Sequence, residues 1–183
     1  MEKDKRKKLI GLLVIIGGMM LHLMMGNFYL WANISGYVVA YYHYLGDKNA
    51  TIQNSGVVLS LTSLNKNLVS PLGAFLYKRV NTRIIIFTTC AICIGSVYMA
   101  SVVKSWGAFL VFFAVLFPSG IGMCYWIPIF CAWEHFPNNK GLFTGIIMAA
   151  FGVGPSIFAI ITTAIANPDD LKKVEDKNSP LNA

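Results

Sequence analysis

Residues Leu9–Tyr44 read LIGLLVIIGGMMLHLMMGNFYLWANISGYVVAYYHY, without one Asp, Glu, Lys or Arg. A bilayer core about 30 Å thick is crossed by roughly 20 apolar helical residues, and this run exceeds that length. As one straight helix at about 1.5 Å per residue it would reach about 54 Å, so it must tilt, bend or protrude. Gly26 and Asn27 are where a bend is expected. A cleaved signal peptide does not fit, because its apolar region is only about 7–15 residues and ends at a small-residue cleavage site.

Working outward, four more apolar runs follow at Ile52–Tyr77, Ile84–Val103, Trp106–Trp133 and Gly141–Ala166. The whole chain is 56% hydrophobic and 13% charged, with a mean hydropathy of +0.60. A soluble domain carries about 25% charged residues, so this composition belongs in lipid. The expected fold class is an all-α membrane protein with about five transmembrane helices. Its connections are short and polar: Gly46 to Asn49, Lys78 to Arg83, Lys104-Ser105 and Pro137 to Lys140. One transmembrane bundle over residues 9–166 is expected, after a basic segment 1–8 and before a polar tail 167–183.

Charge placement predicts the orientation. With the N-terminus cytoplasmic, that side holds Lys3, Lys5, Arg6, Lys7, Lys8, Lys78, Arg79, Arg83 and Lys140, and the opposite side only Lys48, Lys104, Lys172, Lys173 and Lys177. The positive-inside bias favours this multi-pass arrangement. The Asn49-Ala-Thr51 sequon then falls in the first outside loop, in agreement with it. A net charge of +7 raises the question of a nucleic-acid partner, but the basic residues are parcelled between apolar runs, so the bilayer is the expected partner and nucleic acid is not.

Within the spans, Lys66 stands out. A charge near the centre of a membrane helix costs about 2.5–3.5 kcal/mol, and Lys66 lies about 16 Å from the end of its run at Tyr77, too far to reach the interface comfortably. Water or a counter-charge is expected beside it. Ser63, Lys66, Asn67 and Ser70 share one helical face and suit a cavity wall, or alternatively a polar packing cluster. His22, Gly26, Tyr29 and Asn33 share a face of the first helix and are expected to border the same cavity. His22 could take up and release a proton or simply hydrogen-bond between helices.

Other residues read as structural. Cys90, Cys93, Cys124 and Cys131 are small packing residues rather than metal ligands or disulfides. Gly141, Gly145, Ala149 and Gly152 form a small face for helix packing, and Pro118, Gly120, Gly122 and Pro128 predict a bent fourth helix. Glu134 and His135 read as loop anchors, and Tyr41, Tyr42, Tyr44, Trp106 and Trp133 as interfacial anchors. With no phosphate loop, metal quartet or catalytic constellation in the sequence, neither an enzyme nor a cofactor is expected.

Gly26-Asn27-Phe28-Tyr29-Leu30-Trp31 and the junction GIGMCYWIP (120–128) leading into WEHFPNNKGLFTG (133–145) resemble the major facilitator superfamily, in particular its oxalate/formate antiporter and monocarboxylate transporter branch. The superfamily's gating loop between the second and third helices is matched loosely by Gly73, Lys78 and Arg83, while Tyr77 and Val80 stand where an acid and a second Gly belong. The resemblance covers nearly all of residues 9–166. It implies the amino-terminal portion of a fold of about twelve helices in two halves, with substrate held between the halves. It also implies a carrier of small organic anions coupled to a proton or another anion, in which further carboxylate-binding cations belong to the second half. The alternative is a non-transporting structural or accessory subunit that uses the helical scaffold to pack within a membrane complex; the expected assembly is a homo-oligomer or a larger membrane complex.

Overall fold

The computed structural model describes residues 2–167, with side chains from Lys5 onward. Apart from Asn167, the expected polar tail lies outside the described residues. All regular structure in them is helical: α1 (Glu2–Met25), a 3-10 segment (Gly26–Leu30), α2 (Trp31–Tyr44), α3 (Ile52–Tyr77), α4 (Thr82–Val102), α5 (Trp106–Phe109), a π segment (Leu110–Leu116), α6 (Phe117–Tyr125), α7 (Ile127–His135), a 3-10 turn (Pro137–Asn139) and α8 (Lys140–Ala166). These make five rods. Four are long and apolar enough to cross a bilayer, at Lys5–Tyr44, Thr82–Val102, Trp106–His135 and Pro137–Ala166. The fifth, α3, is 26 residues long but carries the polar run around Lys66, which lowers its apolarity.

The expected bend in the first rod falls at the Gly26–Leu30 segment. The fourth rod departs from α-geometry ahead of each of two prolines. Pro118 has no N–H to offer the Ala114 carbonyl, and the wide π turns occupy the stretch just before it. Pro128 likewise leaves the Cys124 carbonyl without its usual donor, and that carbonyl accepts the Trp126 N–H at the break between α6 and α7.

The α5–α7 rod is central, with α3 and α4 packed on α6 and α1 packed on α7 and α8. Two glycine crossings set the spacing. At Gly73 and Gly122 of the α3–α6 crossing, a Cβ would collide with the backbone of Met123 and Lys66 respectively. At the second crossing, a Cβ on Gly26 would meet the Phe151 carbonyl and one on Gly154 the Leu23 carbonyl. The small face expected to pack, Gly141, Gly145, Ala149 and Gly152, looks outward instead: the three glycines have nothing within 4 Å of a Cβ position and Ala149 is exposed.

The two ends of the bundle differ. At one, Trp31, Trp106, Phe109 and Phe113 form a ring cluster, and Trp31 Nε1 donates to the Ser55 carbonyl at 2.9 Å. Tyr42 is 2% exposed, with its hydroxyl directed at the Ala100 and Val103 carbonyls (3.1 and 2.9 Å), and Trp106 is 4% exposed. Both therefore belong to the core rather than to an interfacial belt, whereas Tyr41 and Tyr44 are exposed. Asp47 accepts the Trp106 N–H at 2.8 Å and the Asn49 N–H at 3.1 Å, and these two donors hold its carboxyl below the ordinary range. Thr51 of the sequon accepts the Asn54 N–H and so caps α3. The opposite end gathers the start of α1 with Lys5, Arg6, Lys7 and Lys8, the α3–α4 turn with Lys78, Arg79 and Arg83, and the start of α8 at Lys140. Residues up to Lys8 continue α1 as its first turns.

Candidate functional site

The two glycine crossings bring four rods together around Lys66. Its Nζ lies 4.8 Å from the ring centroid of Tyr125, 5.3 Å from Phe151 and 5.5 Å from Phe28. An ammonium within about 6 Å of a ring face gains about 0.5–2 kcal/mol according to its desolvation, so three rings can offset much of the cost of placing a charge in lipid. Rings supply no negative charge, however, and no carboxylate partner is present among the described residues. Three aromatic faces, rather than a carboxylate, stand nearest the ammonium among the described residues.

His22 completes the group. It is fully buried, 5.3 Å from Tyr125 and 6.2 Å from Phe151, ring centre to ring centre. Its Nδ1 sits 3.1 Å from the Gly18 carbonyl. A carbonyl can only accept, so Nδ1 carries the hydrogen, and the buried Nε2 is left without a hydrogen-bond partner. Lys66 and His22 thus share the same two rings, Tyr125 and Phe151.

The remaining expected residues divide. Ser70 accepts the Trp126 indole N–H at 2.8 Å, so it positions a ring beside the cage rather than facing it open-handed. Tyr29 is exposed and packs edge-on against Phe151 at 5.7 Å, forming a rim. Gly26 acts through the close crossing. Ser63 is half-buried, while Asn67 and Asn33 are exposed. Asn65, which the sequence reading passed over, is the amide that joins helices: its Nδ2 donates to the Val115 carbonyl and to Ser119 Oγ. Phe28, Tyr125 and Phe151 were missed as site residues because they come from three separate runs and share no helical face with Lys66. Only the fold joins them.

The expected gating residues do not form one loop. Gly73 is inside α3 at the crossing with α6, Lys78 is in the turn after α3, and Arg83 is exposed in the first turn of α4, its N–H capped by Asn81 Oδ1 at 3.0 Å. Cys90, Cys93 and Cys124 line an apolar cleft of about 570 Å³ between α1 and α4. All four cysteines are free, and among the described residues no group of three His, Cys, Asp or Glu is placed to hold a metal.

Fold and site together define a polytopic α-helical membrane protein with a half-buried lysine in one of its rods, without a carboxylate partner among the described residues. The chain is 26% identical over 199 aligned positions to apicoplast pyruvate carrier 1 of Toxoplasma gondii, a match that covers 90% of this chain and 36% of the relative. The chain therefore spans about a third of the length of that curated relative. No family model and no solved structure matches it. These findings correct the expected assignment. The similarity found is to a pyruvate carrier, and the resemblance to the major facilitator superfamily and its oxalate/formate and monocarboxylate branch does not stand.

Proposed function

We propose that this chain belongs to the transport machinery for a small organic anion, with pyruvate or a similar monocarboxylate as cargo and Lys66 as its binding cation. The observation that carries this reading is the Lys66 ammonium held among Phe28, Tyr125 and Phe151 without a carboxylate partner. A carboxylate there would supply the missing charge, and a charge-assisted hydrogen bond contributes about 1.5–3 kcal/mol. The apolar body of such an anion would lie against the ring faces. The similarity to a pyruvate carrier supports the same cargo class. The basic end of the bundle is the cytoplasmic end on this reading, in keeping with the positive-inside bias.

A second reading, an accessory subunit that packs within a larger complex, draws support from the outward small face of α8 at Gly141, Gly145 and Gly152. Radiolabelled pyruvate binding to the purified chain in nanodiscs separates the two. Saturable binding that is lost in Lys66→Met and retained in part by Lys66→Arg supports the anion site. Binding that is absent in the wild type, or unchanged in Lys66→Met, refutes it and leaves the packing role.

A further inference from the structure

At the basic end, where the α3 C-terminus, α7 and the start of α8 converge, a cavity of about 660 Å³ opens to the surface. Lys78 and Lys140 stand at its rim and Phe130 and Trp133 form its wall, with Tyr77 and Glu134 between them. Glu134 does not neutralise the lysines by direct pairing. Its carboxylate accepts the Tyr77 hydroxyl at 2.7 Å, and among the described residues neither lysine is in an ion pair with it. Lys140 is instead drawn over the Trp133 ring, 5.7 Å from its centre. Two ammonium groups against one tethered carboxylate leave the cavity net positive.

The wall of this cavity continues inward as a row of rings. Phe130 packs 5.3 Å from Tyr77 and stacks at 6.1 Å on Trp126, which lies 5.5 Å from Tyr125. Tyr125 is the ring closest to the Lys66 ammonium. Ser70 fixes Trp126 by accepting its indole N–H, so the middle of the row is held in place. Along α3, twelve residues at about 1.5 Å each put Lys66 about 18 Å from Lys78. Two cationic stations are thus linked by a chain of ring-to-ring contacts.

We propose that the cavity at Lys78 and Lys140 is a second, outer anion-binding site, which a small carboxylate occupies before it reaches Lys66. This rests on the reading of Lys66 as the inner anion site. The outer site raises the local concentration of anions by its field, while the wall offers the apolar part of the molecule a surface without a deep trap. Exposed, unpaired lysines at a concave, partly apolar mouth are the arrangement that speeds capture more than it tightens binding.

Stopped-flow tryptophan fluorescence in neutral phosphatidylcholine nanodiscs tests this with pyruvate as the probe. The double variant Lys78→Gln, Lys140→Gln is expected to slow association by about ten-fold and flatten its dependence on salt, with dissociation from the inner site changed by less than about two-fold. Lys78→Arg, Lys140→Arg is expected to restore the wild-type rate and so controls for folding. In Lys66→Met a weak, salt-sensitive quench of Trp133 should persist while the slow, tight phase disappears. Equal association rates in the wild type and the double Gln variant overturn the outer site. So does abolition of pyruvate capture by anionic phosphatidylglycerol at constant ionic strength, which would assign the lysines to a lipid headgroup. If the inner reading alone is wrong, Lys66→Met keeps both phases while the double Gln variant still loses the salt-sensitive one.

Discussion

Helices α3 and α8 are nearly equal in length, 26 and 27 residues, yet they meet the membrane problem in opposite ways. In α3 the polar residues are turned to use: Ser55 and Thr62 satisfy carbonyls within their own helix, Asn65 ties it to the fourth rod, and Ser70 holds Trp126. Lys66, the charged residue of this span, has no carboxylate partner among the described residues. In α8 the backbone comes close to the first rod at Phe151 and Gly154, while Gly141, Gly145, Gly152 and Ala149 face outward. The comparison teaches that polarity inside a span is not by itself a site. What marks one is a charged group left over after the packing bonds have been made.

The largest effect that could break this comparison is at Lys66. Lys66→Met should weaken pyruvate binding by about ten-fold to one-hundred-fold, the loss of one charge-assisted contact, while the protein becomes no less thermostable because a charge inside the span is removed. Isothermal titration and a melting curve in the same detergent read both quantities. A variant that loses binding together with its fold would put Lys66 among the packing residues and erase its distinction from Asn65.

The glycines come next. Gly73→Val drives a side chain into the Met123 backbone and should destabilise by about 1–3 kcal/mol, whereas Gly145→Val, which meets nothing, should stay within about 0.5 kcal/mol of wild type. Thermal aggregation followed by size-exclusion chromatography compares the two. Equal losses would mean that the outward face of α8 is covered in the purified protein. Asn65→Leu should then cost about 0.6–1.7 kcal/mol by the same readout, since interhelical hydrogen bonds in membranes contribute modestly.

Much of this contrast was legible in the sequence, for physical reasons. Apolar runs report helix number directly, because lipid offers no other partner for the backbone; the bend at Gly26 and the broken fourth rod follow from Gly and Pro chemistry. Lys66 was visible because a charge in a span is costly wherever it points. Its surroundings were not, because Phe28, Tyr125 and Phe151 look like ordinary apolar residues, and only the two crossings show that they share one ammonium. For the same reason the glycine-spaced face of α8 was misread: spacing shows which residues share a face, not which face finds a neighbour. Tyr42 and Trp106 were taken for interfacial rings because they lie near the ends of their runs, yet the carbonyls at the end of α4 and the rings around Trp31 draw them inside.

The smallest expected effect lies at the end far from the basic mouth. Because Trp106 and Asn49 N–H groups depress the Asp47 pKa, the stability that it contributes is present above the ordinary carboxylate value of about 3.9 and is lost as pH falls through the lower folded value. Melting temperature should therefore drop on the acid side in the wild type and drop less in Asp47→Asn, which is already without the charge. Pyruvate binding measured above pH 5 should be the same in both, since Asp47 lies at the end of the bundle opposite Lys78 and Lys140.

The central claim is that the Lys66 ammonium meets the anion. Solid-state NMR of the lysine 15Nζ signals in bilayers, with the Lys66 resonance assigned by its loss in Lys66→Met, tests this directly. The account predicts that pyruvate shifts that resonance saturably, at the concentrations where binding saturates. A Lys66 signal that stays fixed while pyruvate binds would contradict it and move the anion to another part of the bundle.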